Sequence, residues 1–145
     1  MAGLLPDRIA LVTGAGRWPA PGPGRRLACE GCQVVIADIR EDTAAQSAEE
    51  IRKETGRQML AVKCDVTREA EVEALFKRAT DAFGRLDVVV ANAGILVSGE
   101  VAEFPADKWR AVIDVNLFGY FLTARAAARI MKAQRGGVII QINSK

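Results

Sequence analysis

Five short runs of branched apolar residues recur along this chain, and longer amphipathic stretches separate them. The runs are residues 8–13 (RIALVT), 33–38 (QVVIAD), 59–64 (MLAVKC), 86–91 (LDVVVA) and 138–142 (VIIQI). Each is continuously apolar rather than alternating, the pattern of parallel strands covered on both faces. Helices are expected between them. Residues 43–55 have Asp42 as a candidate N-cap and Gly56 as a stop. Residues 69–83 carry Val72, Leu75, Phe76, Ala79 and Phe83 on one stripe, with Gly84 following. A long helix is expected over about residues 107–134, with Trp109, Val112, Ile113, Asn116, Tyr120, Ala124, Ala127 and Met131 on its apolar stripe. Strands alternating with helices imply one α/β domain over residues 1–145, a doubly wound parallel sheet built from right-handed crossovers.

Bulk properties narrow the function. A net charge of +2 on 145 residues is too small to direct the chain to nucleic acid or to an anionic membrane. No stretch approaches a transmembrane span, and residues 1–8 lack the apolar run of a signal peptide, so a cytoplasmic location is expected. The three cysteines, Cys29, Cys32 and Cys64, form no even disulfide framework. Cys29 and Cys32 are spaced C-x-x-C, but the pair falls where a helix should end, and both are read as small buried residues. The chain has no histidine, which excludes Ser-His-Asp and Cys-His catalysis, and no metal site is expected.

The first run leads into Thr13-Gly14-Ala15-Gly16-Arg17. A glycine turn between a strand and a helix lets backbone approach a pyrophosphate. By itself it is also an ordinary βα turn. Asp38, at the end of the second run, stands where a carboxylate can bond the adenosine ribose hydroxyls and repel a 2′-phosphate. Turn and carboxylate together suggest NAD rather than NADP.

Further segments fill the pattern in order. They are Leu11-Val12-Thr13-Gly14-Ala15-Gly16-Arg17, Cys64-Asp65-Val66-Thr67, Leu86 to Gly94 ending in Asn92-Ala93-Gly94, Asp114-Val115-Asn116-Leu117-Phe118-Gly119, and Gly137 to Ser144. Together they resemble the amino-terminal part of the short-chain dehydrogenase/reductase family, with a Rossmann-type sheet. The resemblance implies an NAD-dependent oxidoreductase acting on a small secondary alcohol or ketone, usually as a homo-oligomer. Gly14, Gly16 and Arg17 would then face the cofactor phosphates. Asp65 would accept from the adenine amino group, and the Val66 N–H would contact the ring. Asn92 would hold adjacent strands together while Ala93 and Gly94 leave room for the nicotinamide ribose. Ser144 matches the family's catalytic serine, and Asn116 its active-site asparagine. Asp65 also suits a turn or cap. Asn116, on an apolar stripe, needs either a structural hydrogen bond or a site, because a buried unpaired amide costs about 1–3 kcal/mol. Asn143-Ser144, with Gly119-Tyr120-Phe121-Leu122, resembles the sorbitol-6-phosphate 2-dehydrogenase branch and suggests a polyol or sugar phosphate.

Two departures from the family pattern stand out. Trp18-Pro19-Ala20-Pro21-Gly22-Pro23-Gly24 replaces the remaining glycines of the turn, and its prolines remove N–H donors and disfavour helix before them. The first helix is therefore expected to begin near Gly24 and to have two turns at most. A short stretch read out of frame and a divergent loop both account for this segment. The second departure is the missing Tyr-x-x-x-Lys pair: Tyr120 is the only tyrosine, and Ala124 stands four residues after it. The sheet is accordingly expected to be truncated after its fifth strand, as a fragment inactive by itself. The alternative is a non-catalytic nucleotide-binding or subunit-interaction chain.

Overall fold

The structure is a computed structural model and describes residues 3–16 and 22–143. Its strands are β1 (Ile9–Thr13), β2 (Gln33–Asp38), β3 (Met59–Lys63), β4 (Val88–Ala91) and β5 (Val138–Gln141). The α-helices are α1 (Pro23–Cys29), α2 (Glu41–Thr55), α3 (Glu69–Phe83), α4 (Ala106–Ile113) and α5 (Gly119–Ala133). All pairings are parallel, in the order β3-β2-β1-β4-β5. This is the parallel α/β sheet expected from the five apolar runs, of the Rossmann type that the family resemblance implies.

Strand geometry divides the core in two. Successive side chains of a strand point to opposite faces. Ile9 and Leu11 of β1 join Val35, Val62, Val89, the α3 residues Val72, Leu75, Phe76 and Ala79, and Leu122, Ala126, Ala127 and Met131 of α5. Ala10 and Val12 join Val34, Ile36, Val88 and Val90 on the other face, under Ala28 of α1 and Ala44, Ala48 and Ile51 of α2. The sheet is thus covered on both sides, which is why its strands read as unbroken apolar runs.

Several expectations change in detail. α2 starts at Glu41, two residues early, with Arg40 rather than Asp42 at the N-cap position. Asp42 lies in the first turn, where a negative charge suits the helix dipole. α1 has seven residues and begins with Pro23 at its first turn, as the proline spacing required. Cys29 is exposed, not buried, although its neighbour Ala28 packs on the sheet; Cys32 and Cys64 are buried.

The long helix is interrupted. Between α4 and α5, Asp114–Phe118 form a π-helical turn. A π turn inserts an extra residue and rotates everything after it. The stripe read from a uniform 3.6 period therefore misplaces its face. No α4 residue is buried, Trp109 is largely exposed, and Asn116 is exposed rather than buried. In α5 the buried positions are Gly119, Leu122, Thr123, Ala126, Ala127 and Met131, so Tyr120 and Ala124 move to the flank.

Candidate functional site

β1 and β4 are neighbours, yet the chain leaves them toward opposite faces: α1 follows β1, and α4 and α5 follow β4. The strand order reverses here, and a crevice opens at the carboxyl ends of the strands. One part of it, about 370 Å³, is lined by Gly14, Asp38, Ile39, Cys64, Asp65, Val66, Asn92, Ala93, Gly94, Ile95 and Val115. An adjoining part, about 580 Å³, runs under the long helix and shares Val66, Asn92, Ala93, Gly94 and Ile95 with the first. Asn116, Tyr120, Thr123 and Asn143 line this second part. Of the residues singled out from sequence, Gly14, Asp38, Asp65, Val66, Asn92, Ala93, Gly94 and Asn116 all line these two spaces. Gly16 bonds Asp38 at their edge. Arg17 and Ser144 lie outside the described residues.

The hub is Thr13, a residue for which the sequence suggests no role. It is the last residue of β1 and is buried. Its Oγ1 accepts the Asn92 and Ala93 N–H groups, both at 3.1 Å. Asn92 Nδ2 donates to the Thr13 and Gly14 carbonyls, again at 3.1 Å. Asn92 therefore ties β4 to β1 at the point where the two chains part. Gly14 completes the clamp. Its φ of +63° is a left-handed value, and an added Cβ would lie 2.6 Å from Ala93 Cα. Only glycine allows this approach. The signal for Thr13 was a lone hydroxyl closing an otherwise apolar strand directly before Gly14.

Asp38 is only 5 % exposed and lines the crevice wall. Its Oδ2 accepts the Gly16 N–H and its Oδ1 the Arg40 N–H, each at 3.0 Å. The carboxylate thus braces the glycine turn and retains lone pairs for hydroxyl donors. Asp65 Oδ1 accepts the Thr67 N–H at 2.9 Å and the Thr67 hydroxyl at 2.7 Å, while Glu71 Oε2 takes the Asp65 N–H at 2.8 Å. This Asx turn realises the turn role at one oxygen; the other lies 3.8 Å from Arg68 Nε. Burial pushes the Cys64 thiol up to about 12, so Cys64 is an inert wall rather than a nucleophile.

Asn116 finds its partner in backbone. Its Oδ1 accepts the Ile95 N–H at 2.8 Å, and its Nδ2 donates to the Ile95 carbonyl at 2.9 Å. Because Asn116 is exposed, the cost of a buried unpaired amide does not apply to it; the two bonds instead tie the helix to the loop after β4. No residue pattern could have named Ile95, because both of its contributions are main-chain groups.

Comparison with known proteins decides the family. A family model of the short chain dehydrogenases matches residues 8–145. The chain belongs to the short-chain dehydrogenase family. It is 41 % identical over 143 residues to the trans-4-hydroxycyclohexanecarboxylate dehydrogenase of Sinomonas cyclohexanicum, covering 95 % of this chain and 55 % of that protein. It is 37 % identical over 140 residues to a 3-oxoacyl-(acyl-carrier-protein) reductase of Synechocystis, covering 97 % and 57 %. A crystal structure of a short-chain type dehydrogenase/reductase from Mycobacterium marinum superposes with a TM-score of 0.89 at 35 % identity, over 94 % of this chain and 56 % of that one. The chain spans little more than half the length of these relatives.

Short-chain dehydrogenases typically bind a nicotinamide cofactor, and the residues present fit its adenosine end. Ile39, Val66 and Val115 supply apolar walls, Asp38 and Asp65 supply acceptors, and the crevice has room beside them. The phosphate end fits less well among the described residues. The Gly16 N–H is spent on Asp38, and α1 opens on a proline that has no N–H to offer. Among the described residues, no three His, Cys, Asp or Glu side chains gather as a metal site, and no helix is long and apolar enough to cross a membrane.

Proposed function

We propose that this chain binds NAD through its adenosine end and serves an oxidoreductase that moves hydride between NAD and a small secondary alcohol or ketone. The observation that carries this is the meeting of Asp38, Asp65 and Asn92 at one crevice where the strand order reverses. NAD is favoured over NADP because a carboxylate in the ribose position repels a 2′-phosphate. On this reading Gly14, Gly16 and Arg17 serve the phosphates, Val66 the adenine, and Ala93 and Gly94 the nicotinamide ribose. Asn116 and Ser144 belong to the catalytic end. The bound cofactor supplies the hydride chemistry, and the protein supplies orientation and a place for the proton.

Tyr120 is the sole tyrosine and has no lysine four residues on, so turnover is expected to depend on residues outside these 145. Asn143-Ser144 supports a polyol or sugar phosphate as substrate. Exposed Leu117, Phe118 and Phe121 on the long helix suit burial in a homo-oligomer, and three free thiols suit the cytoplasm. The compromised glycine turn favours a second reading, a nucleotide-binding chain without turnover of its own. Calorimetric titration of the 145-residue chain with NAD and NADP tests the cofactor assignment. NAD is expected to bind at least tenfold more tightly, with the gap narrowing in Asp38→Asn; equal affinities, or no binding of either, contradict it.

A further inference from the structure

Gly119 follows the π turn and opens α5, with φ −61° and ψ −39°. Those angles are ordinary right-handed helix, open to any residue. Glycine there weakens the helix relative to alanine, so its reason must lie in space rather than in backbone conformation. A Cβ at Gly119 would stand 2.7 Å from Val66 Cγ2, 3.2 Å from Val66 Cβ and 3.4 Å from the Asp114 carbonyl oxygen. Val66 sits in the loop after β3 and lines both parts of the crevice. The helix therefore touches the adenosine wall at its one position without a side chain. One turn earlier on the same helix, Asn116 holds both main-chain groups of Ile95. Thr123 Oγ1, one turn later, donates to the Gly119 carbonyl at 2.8 Å and fixes that turn from the other side.

We infer that Gly119 is a positioning residue: its close approach to Val66 sets the height of the π turn over the crevice, and through Asn116 it holds the loop at Ile95 closed against the site. The wall that would face adenine and the loop that would face the nicotinamide end are thereby set by one contact. The link to the cofactor rests on the NAD reading above; the link from Val66 through Gly119 to Ile95 stands on the fold alone.

Gly119→Ala separates this from helix propensity, because propensity predicts a firmer helix whereas the contact predicts a displaced one. Hydrogen exchange at the Ile95 amide is expected to quicken at least tenfold in Gly119→Ala, while the β1 and β4 amides stay protected. Val66→Ala combined with Gly119→Ala makes room for the new methyl and should return Ile95 to within about threefold of its original rate. NAD affinity in Gly119→Ala should fall several-fold. If Gly119→Ala alone does not fold, a folded double variant supports the inference and an unfolded one overturns it. An unchanged Ile95 rate in Gly119→Ala, or a double variant that opens as readily as the single, also overturns it. Failure of the unaltered chain to bind NAD sinks the cofactor reading and leaves the Ile95 result to decide the contact.

Discussion

Asp87 shows how one side chain can hold the end of the molecule opposite the crevice. It stands just before β4 and is buried. Its carboxylate accepts the Ile9 N–H at 2.9 Å and pairs with Arg8 and Arg85. Burial pushes its carboxyl up, but the Ile9 N–H and the Arg85 and Arg8 guanidiniums outweigh that and hold it below the usual value. A depressed carboxyl stabilises the fold above its unfolded pKa, and that stabilisation is lost as pH falls through the folded one. Asp87→Ala is expected to cost about 2–3 kcal/mol at pH 7, below the full value for a buried pair because both arginines are half-exposed and can rehydrate. Urea unfolding checks it, and the difference from the unaltered chain should shrink below about pH 4. Equal midpoints at pH 7 would contradict the assignment. At this scale the sequence announced Asp38, Asp65 and Asn92, each a polar residue closing an apolar run. The same kind of signal marked Thr13 but could not name its partners, two main-chain N–H groups, and nothing marked Ile95, whose contributions are both main-chain groups.

Among the elements, the strands were the most legible, because an unbroken apolar run of about five residues bounded by polar ones has few other uses in a chain of this kind. Their ends shifted at Arg8 and Asp87, which lie outside the strand bounds although the Arg8 carbonyl still accepts the Gln33 N–H and the Asp87 N–H still donates to the Ile9 carbonyl. The long helix was legible in extent but not in facing. Its period changes at Asp114–Phe118, and a single-period reading turned Asn116 inward when it faces the loop instead. α1 was legible through its prolines alone. β5 ends the sheet as an edge strand and exposes Val138 and Ile140, with Ile142 exposed just after it. An exposed apolar edge invites pairing with another chain. In the 145-residue chain, Ile140→Lys is expected to lower the aggregated fraction in light scattering while moving stability by less than about 0.5 kcal/mol. Undiminished aggregation would show that β5 is not the adhesive edge.

The molecule as a whole converts one topological reversal into one crevice. Parallel strands deliver Gly14, Asp38, Asp65 and Asn92 to the same edge, and the divergence of α1 from the long helix opens the space between them. Family membership agrees with this geometry, and the short α1 puts the departure from the family pattern beside the glycine turn rather than at Asp38 and Asp65. The most direct test is a map of backbone amide shifts on titration of the isotopically labelled chain with NAD. The largest changes are expected at Gly16, Asp38, Asp65, Val66 and the Asn92 to Ile95 loop, with the Arg8 and Asp87 end silent. Saturable shifts confined to any other surface would contradict the account, as would a spectrum that NAD leaves unmoved.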